Sequence, residues 1–236
     1  MAAPGRAAGL LAAVLFCIAN PALAQVGASV SVVSDYLYRG ASLSDGQPAA
    51  SLGISYDHAS GAYGGLTVSA VKTRDSGFQP LGYVAVIGYA HRVGDAASWD
   101  VGVINREVSV YFDRRYSYNY SEIFAGFSKR NISTHIYFAP KYNRRNESTV
   151  YVDLDGVLRP KDGWRLLGHV GVTTTLSPDN TPFEHPTRFD LRAAVARAFG
   201  NGEVQLAGII NSPRPEYPEG RRQRRETLQA RVTVFF

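Results

Sequence analysis

The sequence predicts an all-β fold: a single antiparallel up-and-down transmembrane β-barrel of about 12 strands behind an N-terminal signal peptide. Three observations lead there. Short segments throughout the chain alternate apolar and polar residues at period two, connections alternate between tight and long, and an export leader precedes a chain with no long apolar run.

The leader comes first. Arg6 precedes an apolar run from Ala7 to Ile18, followed by Asn20-Pro21 and Ala22-Leu23-Ala24 before Gln25. A basic start, a short apolar middle and an Ala-x-Ala site describe a secretory signal peptide cleaved after Ala24. Residues 1–24 are therefore assigned to the signal peptide and 25–236 to the barrel. Cys17, the only cysteine, lies in the leader and follows Phe16, which does not suit lipoprotein processing. The mature chain is exported without a disulfide and must be stabilised otherwise. It is too long for a small sandwich, and with no stretch of eighteen apolar residues it has no transmembrane helix.

From Val26 the strands follow in order, each bounded by Gly, Pro, Asp or Asn clusters. They run over 27–39, 49–58, 62–72, 81–92, 98–107, 119–129, 131–142, 148–159, 164–175, 187–199, 203–211 and 226–236. The first ends at Gly40, and Pro48 opens the second, where a missing N–H is tolerated. Ser60-Gly61 closes the second hairpin, Gly94-Asp95 the next, and Arg130 marks another tight turn. Pro160-Lys161-Asp162-Gly163 and Gly200-Asn201-Gly202 complete the short set. An even strand count returns both ends of a single-chain barrel to one side. The remaining connections are mostly longer and richer in charge: Gly40–Pro48, Thr73–Pro80, Val108–Tyr118, Leu176–Pro186 and Ser212–Arg225. Short turns on one side and long loops on the other is the outer-membrane pattern, with the short side periplasmic. A soluble sandwich has no reason to sort its loops by parity.

Face alternation agrees. In the last strand Leu228, Ala230, Val232, Val234 and Phe236 form one row, against Thr227, Gln229, Arg231, Thr233 and Phe235. A strand ending on an aromatic with apolar partners at every second position has the form of the signal read by the barrel assembly machinery, an expected partner. In 149–159, Val150, Val152, Leu154 and Leu158 oppose Asp153, Asp155 and Arg159; in 188–195, Phe189, Leu191, Ala193 and Val195 oppose Arg188, Asp190 and Arg192. Charges facing acyl chains cost a few kcal/mol each near the midplane, so the polar rows are expected inside. The expected lumen lining is Asp35, Arg39, Asp100, Arg106, Glu122, Asp153, Asp155, Arg159, Arg165, Arg188, Asp190, Arg192, Glu203 and Arg231. Tyr36, Tyr38, Trp99, Tyr120, Trp164, Phe199 and Phe236 lie near strand ends, where they suit the headgroup belts.

The segment Val33-Ser34-Asp35-Tyr36-Leu37-Tyr38-Arg39-Gly40-Ala41-Ser42-Leu43-Ser44-Asp45-Gly46-Gln47-Pro48-Ala49, with Gly53 to Gly65 after it, resembles the opening of the TorF family of proteobacterial porins. The similarity covers about forty residues strongly and implies an outer-membrane barrel with channel activity. It brings no substrate and no catalytic residue. On the residues themselves, Asp35, Leu37 and Arg39 share one strand face, and Gly40 and Gly46 bracket a surface loop. Asp35 and Arg39 then either narrow a pore or form an ion-pair ladder that fastens the wall, the second being the simpler reading.

The histidines form no catalytic pattern. His58-Ala59-Ser60 belongs to a periplasmic turn, His91 and His135 lack a spaced acid or serine, His185 lies between Glu184 and Pro186, and His169 is expected to face inward with Arg165. No triad, metal set or phosphate-cradling glycine loop emerges, so no catalytic residue, metal or cofactor is expected. The charge balance is +5 and arginine-dominated. Arg114, Arg115, Arg144, Arg145, Arg221, Arg222, Arg224 and Arg225 would surround the outer rim, where lipopolysaccharide phosphates accept bidentate contacts from guanidinium groups; the alternative is a funnel for anionic solutes, and lipid contact is the simpler reading. Nucleic acid is not an expected partner. The function expected is a passive channel for small hydrophilic solutes in a Gram-negative outer membrane. The rivals are a non-conducting structural or adhesive barrel and an outer-membrane lipid-modifying enzyme.

Overall fold

The computed structural model describes residues 25–73, 77–109, 111, 117–142, 147–176, 187–212 and 225–236. The expected leader, residues 1–24, and rim residues Arg114, Arg115, Arg144, Arg145, Arg221, Arg222 and Arg224 lie outside them.

Twelve strands close into one barrel. They are β1 (Gln25–Val33), β4 (Ala49–Asp57), β5 (Ala62–Thr73), β6 (Gly77–Val93), β7 (Ala97–Ser109), β8 (Ser117–Lys129), β9 (Ile132–Tyr142), β10 (Glu147–Lys161), β11 (Trp164–Thr175), β12 (Thr187–Phe199), β13 (Gly202–Asn211) and β14 (Glu226–Phe235). Two further strands, β2 (Leu37–Tyr38) and β3 (Ala41–Ser42), form a separate small hairpin. Every wall pairing is antiparallel between neighbours, and β1 closes the cylinder by pairing with β4 on one side and β14 on the other.

The alternation read from the sequence is the alternation of the barrel. Leu52, Ile54, Leu66, Val68, Ile87, Val101, Val103, Ile123, Ile136, Val152, Leu154, Val170, Leu191, Leu206 and Ile210 are all exposed on the outer surface. Such a skin is stable only against acyl chains, and a closed sheet leaves no backbone group unpaired there. The protein is a bacterial outer-membrane barrel. Leu228, Ala230, Val232, Val234 and Phe236 sit in the exposed outward row of β14, while Gln229 and Thr233 are buried inside.

Two sequence expectations fail. The stretch Thr73–Pro80, expected as a long loop, is largely wall: β5 runs to Thr73 and β6 starts at Gly77, in register with it. Pro80 fits because a bulge sits beside it, between Ser69 and Ala70. More consequentially, the first strand stops at Val33 and not at residue 39. Residues 34–48 do not form a surface loop; most are buried, with Leu43 and Ala41 only 1% exposed. The segment turns into the barrel, where its apolar residues have something to pack against. Tyr36, Tyr38 and Leu43 join Val33, Ala49, Val71, Leu81, Val108, Tyr120, Ala139 and Tyr142 in the main buried apolar cluster.

Candidate functional site: the lumen and its inward hairpin

Arg39 and Gly40, between β2 and β3, have φ of 45° and 78°, so the hairpin turns through two left-handed residues. That is the type I′ geometry that matches strand twist. Gly40 is required twice over, because a Cβ there would lie 2.6 Å from Asn211 Cβ and 2.9 Å from Asp190 Cβ. Asn211 Nδ2 donates to the Gly40 carbonyl at 2.6 Å, and Gln229 Nε2 donates to the Asp35 carbonyl at 2.7 Å. The wall thus holds the hairpin by its tip and by its root.

Asp35 does not line the wall. Its Oδ1 accepts from Ser42 Oγ at 2.5 Å, Ser44 Oγ at 2.9 Å and the Gly46 N–H at 3.2 Å, knitting the hairpin to itself. Arg39 does not pair with it. Arg39 Nη2 donates instead to Glu122 Oε1 on β8 at 2.8 Å, and Arg106 Nη2 on β7 donates to the other oxygen of Glu122 at 3.1 Å. All three side chains are buried. One carboxylate between two guanidinium groups leaves a formal excess of one positive charge, which ring faces partly stabilise. The Arg39 guanidinium carbon lies 3.9 Å from the Tyr151 ring centre and 5.0 Å from that of Tyr38; Arg106 lies 4.2 Å from Tyr38. Each such contact contributes about 0.5–2 kcal/mol, more when dry. The Tyr38 and Tyr120 hydroxyls meet at 2.6 Å, closing the cluster.

Beneath the hairpin is a cavity of about 430 Å³. Gln25, Asp57, Phe235 and Phe236 line it at the end of the barrel that carries the short turns, the periplasmic end. Its lining carries both signs of charge. His135 (β9) lies between Asp100 (β7) and Asp153 (β10), each 3.5 Å from a ring nitrogen. His169 (β11) lies between Asp155 (β10) at 2.9 Å and Asp190 (β12) at 3.1 Å. Arg192 (β12), directly opposite His169 in the strand register, and Arg231 (β14) face the same space.

Glycines let large rings lie flat against the wall. A Cβ at Gly171 would fall 2.1 Å from Tyr151 Oη, at Gly88 2.4 Å from Tyr63 Cζ, and at Gly126 2.3 Å from both His135 Cδ2 and Asp100 Oδ1. The wall is therefore built of alternating rings and gaps, which no strand propensity requires.

The structure places Asp100, Arg106, Glu122, Asp153, Asp155, Arg165, Arg188, Asp190, Arg192, Glu203 and Arg231 on inward rows of the wall. Arg165 pairs with Glu203 across β11 and β13. Arg159 is exposed near the periplasmic end, donating to Asn131 Oδ1 at 3.1 Å. Asp35 and Arg39 lie in the lumen on the hairpin, so the expected strand face they would share does not exist. His169 faces inward as expected, but its contacts are Asp155 and Asp190 and not Arg165. Of the outer-rim arginines only Arg225 is described, and it is exposed. Tyr36, Tyr38 and Tyr120, expected at the headgroup belts, are buried inside instead, and sequence reasoning missed Tyr137, Tyr151 and the carboxylates that flank His135 and His169. The available signal was inward-parity Tyr or His next to inward-parity Gly on the neighbouring strand. Among the described residues, no group of three or more His, Cys, Asp or Glu is placed to hold a metal ion.

A family model described as a bacterial protein of unknown function (Gcw_chp) matches residues 19–231. The chain belongs to that family. No curated protein matches it. Among solved structures, it resembles the KdgM porin with a TM-score of 0.52 at 12% identity, over 89% of this chain and 98% of that one. It resembles the NanC porin with a TM-score of 0.57 at 9% identity, over 90% and 99% of the two chains. At such identities the likeness carries the fold of an outer-membrane porin and nothing about solute.

Proposed function

We propose that this Gcw_chp protein is an outer-membrane channel for passive diffusion of small hydrophilic solutes, narrowed by its own first hairpin. The observation that carries the reading is a cavity of about 430 Å³, lined in part by ionisable side chains, inside an apolar-skinned cylinder. A barrel serving only as an anchor has no use for a chamber of that size with ionisable groups in its lining. The Arg39–Glu122–Arg106 cluster with its tyrosines is the constriction, and the TorF-type porin likeness of residues 33–49 is part of the same reading. No catalytic residue is assigned, and the protein is read as not an enzyme. Partners in this reading are the solutes, lipopolysaccharide at the arginine-rich rim, and the barrel assembly machinery at the outward row of β14.

A second reading, a non-conducting barrel, is favoured by one observation: the hairpin is buried and hydrogen-bonded at both root and tip. Planar-bilayer recording of the purified protein, beside a variant in which residues 37–42 are replaced by a short Gly-Ser link, separates the two. Small current steps in the wild type and larger ones in the variant support the channel. Silence in both, with the barrel folded, rejects it.

A further inference from the structure

We infer that the cavity beneath the hairpin holds an oxyanion-binding site, built by Arg192 and Arg231 and reached from the periplasmic end. The inference does not depend on conduction, because a closed barrel would bind equally well.

Charge pairing is the starting point. The other inward arginines with recorded ion pairs each meet a carboxylate: Arg39 and Arg106 share Glu122, and Arg165 meets Glu203. Among the described residues no such pair is recorded for Arg192 or Arg231. Arg192 Nη2 donates to the neutral amide oxygen of Gln205. Gln205 lies directly opposite Arg231 in the register of β13 with β14, so the amide sits between the two cations. The Nε atoms of both arginines are buried without a hydrogen-bond partner. Arg192 is also close enough to Arg231 to feel its repulsion, which the charge of Asp155 only partly offsets. Two repelling guanidinium groups side by side in a partly dry lumen are unfavourable on their own. Asp155 and Asp190 line the same cavity but are engaged by His169.

A ligand carrying a carboxylate or phosphate group resolves this arrangement. Planar guanidinium forks donate to two oxygens at once, and an anion between two of them relieves their mutual repulsion. Both side chains face the 430 Å³ space, which is large enough for a small organic acid or phosphate ester. Further round the barrel, the Asp100 and Asp153 carboxylates that flank His135 would select against a second negative charge at the far end of the ligand. The chemistry therefore fits a small molecule with one anionic head and a neutral or cationic remainder.

Isothermal titration calorimetry of the full folded barrel in a neutral detergent tests this, with inorganic phosphate and acetate as separate probes and chloride held constant. Saturable binding of at least one probe is expected, weakened at least tenfold in Arg192→Gln and in Arg231→Gln. Lys129→Gln, which removes a charge at an exposed strand end, should bind as the wild type does. The two probes distinguish a phosphate site from a carboxylate site. Absence of saturable binding to both, or binding that survives both arginine substitutions in variants that keep the barrel's heat-resistant mobility on gels, overturns the inference. Either result leaves the bilayer recordings to decide conduction separately.

Discussion

Arg39, at the tip of a hairpin, donates a 2.8 Å hydrogen bond to Glu122 on the wall, a residue 83 positions further along the chain. The contact makes the interior of this barrel a packed structure and not a simple pore. Glu122 is the only carboxylate recorded with either Arg39 or Arg106 among the described residues, so the seat of the hairpin depends on it.

Glu122→Gln keeps the shape and deletes the charge. Two guanidinium groups would then be buried without a counter-ion, which costs on the order of 3 kcal/mol. Urea unfolding of the detergent-solubilised barrel, followed by tryptophan fluorescence, should show a clearly lower midpoint. An unchanged midpoint would mean that the aromatic rings alone stabilise the pair.

Gly40→Ala should unseat the hairpin without touching the wall. The left-handed backbone disfavours a side chain, and its Cβ would collide with Asn211 and Asp190. The chain from Gln25 onward has no cysteine, so Leu43→Cys provides a clean probe at a site 1% exposed. Thiol labelling should be slow in that variant and at least tenfold faster once Gly40→Ala is added. Equal rates would refute the seating described above.

Gly171→Ala is expected to destabilise the barrel by roughly 1–3 kcal/mol through overpacking, because the new methyl would overlap the Tyr151 hydroxyl. Gly168→Ala, three residues away with nothing within 4 Å of the added atom, should leave the urea midpoint within error. The comparison isolates ring accommodation from backbone effects common to both substitutions.

Leu154→Arg tests the membrane face. Leu154 is half exposed on the outer surface near the middle of β10. An arginine there should lower folding stability in bilayers by about 2–4 kcal/mol, whereas the same change at Leu228, near the long-loop end of β14, should cost less. Equal penalties at both positions would place the bilayer differently from the strand pattern.

The wall was legible because its cause is local. Each strand such as β12 or β14 carries its own period-two record of which residues meet lipid, and tight turns announce themselves through Gly, Asp and Asn. The hairpin was not legible for the opposite reason. Residues 33–39 alternate well enough to pass for strand, and what diverts them inward is remote: Asn211, Gln229 and Glu122 lie far along the chain. The Arg39-Gly40 turn was visible only as a glycine, since left-handed φ at an arginine has no sequence mark. The inward side of Asp100 and Asp153 followed from parity, but their meeting with His135 across three strands depends on register, which the sequence does not state.

The root of the hairpin is tied to the same strand that seals the cylinder. The Ser34 N–H donates to the Ala230 carbonyl at 2.9 Å, the Ala230 N–H to Ser34 Oγ at 3.0 Å, and Gln229 to the Asp35 carbonyl, directly beyond the five residue pairs that join β1 to β14. The root contacts therefore exist only once the seam has closed. A cylinder still open at that junction would hold the plugging segment by its tip alone, through Asn211 and Glu122.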